Sequence, residues 1–491
     1  MELLLIFGSF FIAAFLCVVL TSRRVIECIS IVATVIALVE SIIISLKVGS
    51  VKTYVPFYFF SIESFEAIVM LIIAFVGLAT TIYSVQYLRQ ETLKNIIGFT
   101  RVKQYFILLN LFLLAMFLAI SANSPILAWI AIEATTLSTA FLISFYNKPS
   151  VTEAAWKYLI INSVGLLLGF FGTLLYFTSV NELSGNSFYA LRDAALHLDP
   201  LIAKIAFIFI LIGYGTKVGL APMHTWLPDA HSKAPAPVSA LLSGVLLNVA
   251  FVIVMKFKII TDFALRDASF SNNLLIIFGL LSIFVAALII LTQKNYKRLL
   301  AYSSIENMGI ISLGFGFGPL GIYPAVLHMI YHSLIKSALF LSAGTIFLKY
   351  SSTKIAKVKG MLSSLPITSI LFLVGIFAIT GAPPFGIFLT KISILSVGIK
   401  IHAIVSIVAM FLMAILFIGF LKHASSMAFG EKPSEVTTGS SEFKTGKENI
   451  WLILPPLALL ALALFLSFYF PRFLLDLLNA VTISYKMRGT I

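Results

Sequence analysis

Fourteen stretches of this sequence stay apolar long enough to cross a bilayer, and they leave little room for anything else. A spanning helix needs ~20 predominantly apolar residues. Such runs fall near 1–20, 25–46, 67–88, 104–122, 126–146, 155–180, 201–220 and 236–260. Others follow near 273–292, 300–317, 321–348, 366–398, 400–427 and 450–470. The longest connections, 47–66, 181–200 and 428–449, are too short for a soluble domain. Apolar types supply 60% of the 491 residues and charged types 11%, where soluble domains carry roughly 25% charge. So few charges cannot clothe a water-facing surface, which excludes a soluble enzyme, a secreted disulfide scaffold and a nucleic-acid reader. The expected fold is an all-α polytopic membrane protein with fourteen transmembrane helices.

The first run starts at Glu2 with no basic residue before it, a poor signal peptide, and reads as spanning helix 1. Twenty Lys and Arg follow odd-numbered spans, and eleven follow even-numbered spans or lie at the termini. Cytoplasmic loops collect Lys and Arg. The expectation is therefore a multi-pass protein of the cell inner or plasma membrane with both termini on the outer, non-cytoplasmic side. The net charge of +14 follows from the same bias and needs no nucleic acid partner. Three basic residues are left over, Lys217, Lys336 and Lys391, and all three lie inside apolar spans.

Cys17 and Cys28 are too few for an iron–sulfur cluster, which takes four thiolates, and no four-ligand zinc pattern occurs. Walker, dinucleotide and haem-attachment motifs are missing as well. The chain is expected to carry no cofactor and no metal, and to catalyse no redox chemistry by itself.

A charge at mid-bilayer costs roughly 2.5–3.5 kcal/mol, and such residues usually mark an ion or proton path. Besides the lysines, Glu133 in WIAIEATTLS and Glu306 in YSSIENMG lie well inside their spans, with Glu27 and Glu40 as weaker cases. Two spans are interrupted by proline: Pro222 follows Lys217 in span 7, and Pro383 and Pro384 precede Lys391 in span 12. Proline removes an amide donor, and at membrane depth the freed carbonyls need protein or cavity water. Broken helices at corresponding places in two halves point to an inverted-repeat transporter.

The spacing supports such a repeat. Lys391 lies 174 residues after Lys217, Glu306 lies 173 after Glu133, Lys422 lies 174 after Asn248, and Lys336 lies 174 after Asn162. Spans 4–8 and 9–13 then form two inverted five-helix repeats with broken helices 7 and 12. The expected division is 1–103 for helices 1–3, 104–260 for the first repeat and 273–427 for the second. A cytoplasmic linker at 428–449 precedes helix 14 and a C-terminal tail, 450–491.

In span 11, His328, His332 and Lys336 recur every four residues and share one helical face. Histidine titrates near neutral pH and lysine shifts readily when desolvated, so the row can hand protons along a hydrated file. A metal at the two histidines would be repelled by the lysine. His224 and His231 flank the break in span 7, either lining a proton half-path or capping freed backbone groups. Asp229 reads as a helix-end cap or a local pairing.

The segments PMHTWLPDAHSKAPAPVSALLSG, KRLLAYSSIENMG, HMIYHSLIKSALF and GAPPFGIFLTK resemble the antiporter-like subunits of the complex I superfamily. That superfamily covers respiratory NADH–quinone oxidoreductase, energy-converting membrane hydrogenases and multisubunit cation/proton antiporters. AIEATTLSTAFLISFY and EAAWKYLIINSVG look most like the hydrogenase-4 component F type. The resemblance implies proton translocation through Glu133, Lys217, His328, His332, Lys336 and Lys391, with His224, His231, Asn248, Glu306 and Lys422 as accessory positions. It departs at Asn248, where relatives often carry Lys or His, and in a tail too short for the long lateral helix of distal members.

The implied partners are antiporter-like and small membrane subunits side by side and a peripheral redox arm. That arm would hold iron–sulfur centres and, according to the complex, nickel–iron or flavin centres. Protons are the expected cargo, with Na+ left open. The mechanism expected is a Glu133–Lys217 ion pair whose opening and closing drives a proton along the span 11 row to Lys391. The alternative is a stand-alone or multisubunit Na+/H+ antiporter without a redox partner.

Overall fold

The computed structural model describes residues 1–179, 186–429 and 448–486. The chain begins with helices α1 (Glu2–Val19) and α2 (Arg23–Val51), strands β1 (Thr53–Phe57) and β2 (Phe60–Glu63), α3 (Ser64–Leu93), α4 (Phe99–Ser121) and α5 (Pro125–Ile143). It continues through α6 (Pro149–Tyr176), α7 (Phe188–Ala194), α8 (Pro200–Val218), α9 (Trp226–Lys233), α10 (Ala236–Leu241) and α11 (Leu247–Leu265). Then come α12 (Ser269–Ile290), α13 (Tyr296–Gly316), α14 (Pro319–Tyr350), α15 (Met361–Ser364), α16 (Pro366–Thr380) and α17 (Gly386–Ile401). The last helices are α18 (Ala403–Phe429), α19 (Ile450–Phe468) and α20 (Arg472–Lys486).

Twelve helical stretches among the described residues are long and apolar enough to cross a membrane, two fewer than the sequence count. The difference lies at 300–317 and 366–398. α13 is helical throughout but carries Ser303, Ser304, Glu306 and Asn307 within a short span, all of them buried. The second stretch is divided into helices of 15 and 16 residues, α16 and α17, by the break at Pro383 and Pro384. Two further departures are local. The connection 47–66 holds an antiparallel hairpin, with Thr53 opposite Glu63 and Phe57 opposite Phe60. The tail holds α20, an amphipathic helix that lays Leu477, Leu478 and Val481 against the bundle, where it packs on α2, α3 and α14. Residues 430–447 of the expected linker lie outside the described residues.

Burial follows the expectation for a membrane bundle. α11 and α14 run through the middle, buried almost throughout, while α1, α2 and α18 show apolar side chains outward. Small residues bring neighbouring helices together, as packing-driven association in lipid requires. α6 crosses α8 where a Cβ on Gly172 would stand 2.8 Å from the Ala206 carbonyl oxygen, and one on Gly213 would collide with the Gly169 backbone. Gly279 and Gly309 do the same for α12 and α13, at 2.8 and 2.7 Å from each other's carbonyl oxygens.

Both interrupted spans end at a left-handed glycine: α8 at Gly219 (φ 80°) and α16 at Gly381 (φ 93°). Only glycine takes that conformation without steric cost. Gly213→Leu is expected to wedge α6 from α8 and lower the thermal unfolding midpoint in detergent, since overpacking costs about 1–3 kcal/mol. Gly8→Leu, with open space around it, should leave the midpoint unchanged. Equal midpoints for the two variants would refute the crossing as a tight constraint.

Candidate functional site

Lys217 sits in the last turn of α8, with its side chain fully buried. Its ammonium donates to Thr136 Oγ1 of α5 at 2.9 Å and to Tyr158 OH of α6 at 2.6 Å, and it lies 4.8 Å from the Tyr158 ring centroid. Tyr158 OH is shared with Thr139 at 2.5 Å, and its ring meets Trp226 edge-on at 5.0 Å. Trp226 in turn donates its indole N–H to the Thr216 carbonyl, which also accepts the Gly219 N–H at the end of α8. Glu133 is half-buried one turn before Thr136 on α5 and accepts from Ser163 Oγ at 2.7 Å; its other oxygen is buried without a hydrogen bond. The expected Glu133–Lys217 contact is therefore open in this structure, each partner being held by hydroxyls.

The second Glu–Lys pair is closed. Lys391 Nζ lies 2.8 Å from Glu306 Oε1, with the side chains 8% and 2% exposed. The same ammonium donates to the carbonyls of Ile379 and Thr380 at 3.2 and 3.3 Å, which are the acceptors left by the end of α16. Asn307 donates to Glu306 Oε2 at 3.1 Å and accepts His328 Nε2 at 3.0 Å, and His328 Nδ1 contacts Thr390 Oγ1 at 2.7 Å. A continuous polar string thus joins the α14 row to Lys391 through α13 and α17.

Elsewhere in the row, Lys336 donates to the Leu300 carbonyl at 2.6 Å, and both ring nitrogens of buried His332 lack protein partners. Asn248 of α11 donates to Ser333 Oγ at 2.7 Å, and its carbonyl oxygen is buried without a partner. It reaches α14 just past a π-helical turn, Leu242–Leu246, where Gly244 presses against the Ser333 carbonyl. His231 is fully buried, stacked on Phe340 at 5.0 Å, and His224 is 8% exposed near Tyr302. Pro222, Pro383 and Pro384 lie exposed at the breaks. Lys422 is exposed and lies apart from this string. Asp229 pairs with Arg298 and, at 3.7 Å, with Lys157.

Sequence reasoning passed over Thr136, Tyr158, Ser163, Asn307 and Thr390, because hydroxyls and amides in apolar helices commonly bond their own backbone. Their signal was spacing: Thr136 falls one turn after Glu133, and Thr390 is the neighbour of Lys391.

Residues 122–417, more than half the chain, match the family described as NADH:quinone oxidoreductase/Mrp antiporter, TM. The chain belongs to this family. It is 40% identical over 347 residues to the hydrogenase-4 component F homolog of Methylacidiphilum infernorum (isolate V4), covering 70% of this chain and 73% of that protein. It is 28% identical over 343 residues to hydrogenase-4 component B of Escherichia coli (strain K12), covering 67% of this chain but 49% of that protein. A chain of the membrane-bound sulfane sulfur reductase, an archaeal respiratory membrane complex, superposes over 99% of both chains with a TM-score of 0.84 at 20% identity. A chain of the Mrp complex from Dietzia sp. DQ12-45-1b superposes over 99% of this chain and 97% of that one, with a TM-score of 0.85 at 18% identity. The protein is an antiporter-like membrane subunit of the complex I-related kind.

Removing one partner of a buried ion pair costs about 3–5 kcal/mol, because the other charge stays buried. Glu306→Ala is expected to lower stability by that order in detergent unfolding, and the double variant Glu306→Leu, Lys391→Met should recover most of it. No recovery in the double variant would show that the two side chains do not act as a pair.

Proposed function

We propose that this chain moves protons through the membrane as one subunit of a redox-driven complex. The membrane hydrogenase or formate hydrogenlyase type is the leading assignment, ahead of the NADH or ferredoxin dehydrogenase type. The observation that carries the reading is Lys217: a wholly buried ammonium held by two neutral hydroxyls, one of them, Thr136, a single turn along α5 from Glu133, a carboxylate the lysine does not touch. A nearby carboxylate favours the charged form of a lysine, and its withdrawal favours release of the proton. Small shifts of Glu133 toward or away from Lys217 would therefore load or unload the site. The released proton passes to the His332, His328 and Lys336 row, then by the Asn307–Glu306 string to Lys391 and outward.

Glu133 also bears on the partners. It shares its face of α5 with Ile130 and Leu137, each 51% exposed. A carboxylate on a lipid-facing stripe is costly, so we assign that face to a neighbouring antiporter-like subunit. Through it the state of one subunit reaches the next. The driving energy enters from a peripheral arm with iron–sulfur centres, and nickel–iron or flavin centres according to type. What supports that arm over a stand-alone Na+/H+ antiporter is the 40% identity, over 70% of the chain, to a hydrogenase-4 component F homolog.

The finer architecture in this reading is fourteen helices with two inverted five-helix repeats. A buried lysine and a left-handed glycine at each break support it. The connections rich in Lys and Arg face the cytoplasm of a plasma-membrane complex, with both termini outside.

The test is made on the native complex, purified in mild detergent with its companions identified by mass spectrometry and then reconstituted in liposomes. Lys217→Ala is expected to slow proton translocation by about a hundredfold, the lower range for a positioned proton-transfer group. Lys422→Ala should leave it unchanged. If the chain purifies without iron–sulfur partners and Lys217→Ala instead abolishes Na+/H+ exchange, the antiporter reading replaces this one.

A further inference from the structure

Four carboxylates among the described residues are buried to 5% exposure or less: Glu27, Glu66, Glu91 and Glu306. Three of them are neutralised. Glu27 meets Arg23 at 2.8 Å, Glu66 meets Lys256 at 3.1 Å, and Glu306 meets Lys391 at 2.8 Å. Glu91, with none of its surface exposed, has no ion-pair partner among the described residues. Tyr146 OH donates to one of its oxygens, and the other makes no hydrogen bond. A carboxylate serving only as an anchor would have both oxygens engaged. One buried with no cation in direct contact is costly as an anion, so it is a natural place for a proton to bind.

Its position fits that role. Glu91 lies in the last turn of α3, two residues before Leu93, which is 66% exposed where the helix reaches the membrane face. Inward from it, Tyr146 OH meets Tyr87 OH at 3.0 Å, Tyr87 stacks on Tyr83 at 5.8 Å, and Tyr83 OH meets Thr345 Oγ1 of α14 at 3.0 Å. Gly344 permits this approach, since a Cβ there would stand 2.7 Å from Tyr83 OH. α14 is the helix that carries Lys336.

A second line of buried groups reaches the same lysine. Lys297 of α13, 3% exposed, is with Lys94 one of the two cations that act on Glu91. Lys297 donates to the Ala234 carbonyl at 3.0 Å, and one turn along α13 the Leu300 carbonyl receives Lys336 at 2.6 Å. His231, three residues before Ala234, stacks on Phe340 one turn beyond Lys336, and neither of its buried nitrogens has a partner.

We propose that Glu91 is the proton inlet of this subunit, taking a proton from the aqueous phase at the end of α3 and delivering it through the Lys297–His231 cluster to Lys336. Only O–H and N–H bonds change. Water gives a proton to the Glu91 carboxylate, the carboxylic acid gives it to an unprotonated nitrogen of the cluster, and the carboxylate is restored. The inference rests on the proton-translocating reading above.

The experiment compares Glu91→Gln, Glu91→Asp and Lys217→Ala in the reconstituted native complex, following proton uptake with a pH-sensitive dye and assembly by size exclusion. Glu91→Gln is expected to slow uptake by more than about tenfold with assembly intact, and Glu91→Asp to keep most of the rate, as a proton carrier requires. Full uptake in Glu91→Gln with loss in Lys217→Ala overturns the inlet and leaves the pump standing. Full uptake in both overturns the pump, and the inlet with it. A variant that fails to assemble is replaced by the unsubstituted complex treated with a membrane-soluble carbodiimide, which attacks protonated buried carboxyls. Mass spectrometry should find an adduct on Glu91 that fades as pH rises, and its absence would overturn the inlet.

Discussion

An ammonium taken out of water must find compensation, and in this bundle that requirement arranges most of the interior. The desolvation cost of a buried ion is several kcal/mol even after relaxation. Lys217, Lys336 and Lys391 meet it in three different ways, with hydroxyls, a single carbonyl, and a carboxylate joined by two carbonyls. The three environments form a graded series of counter-charge. A proton file needs such a gradient if it is to pass charge and not trap it.

The helix packing that supports this series depends on residues with almost no side chain. Where α6 meets α8 and α12 meets α13, glycine lets backbones approach until carbonyl oxygens lie where a methyl group would otherwise sit. Tyr158 can then reach across to Lys217, and α13 holds Glu306 and Asn307 against α14 and α17. Gly244 plays the same part at the π-helical turn, where α11 gains contact with Ser333. The charged groups are thus placed by close contacts among neutral ones.

Much of the site was legible in the sequence because a charge inside an apolar run stands out. Lys217, Lys336, Lys391 and Glu306 were found that way, and the two breaks announced themselves by proline. Glu91 escaped notice because it lies a few residues from the end of its span, where a carboxylate is ordinarily solvated. Tyr146, fifty-five residues along the chain, folds against it, which no local pattern reveals. α20 falls in the expected C-terminal tail, where Arg472, Asp476 and Lys486 break up the apolar run, although Phe473, Leu474, Leu477, Leu478 and Val481 mark one helical face. The open state of Glu133 and Lys217 was equally invisible. Sequence names both partners but not which of two acceptors, the carboxylate or the hydroxyls one turn away, holds the lysine.

The end of α16 gives the second break a mechanical meaning. Its last carbonyls, at Ile379 and Thr380, are held by the ammonium of Lys391 beside Glu306. An amine that has lost its proton has one fewer donor to share among three acceptors. Each departing charge would therefore slacken the clasp on a helix terminus, and each arrival would tighten it. If Lys391 gives up and regains its proton as proposed, the electrical state of one side chain would set the tension on a piece of backbone, as a pawl does on a ratchet.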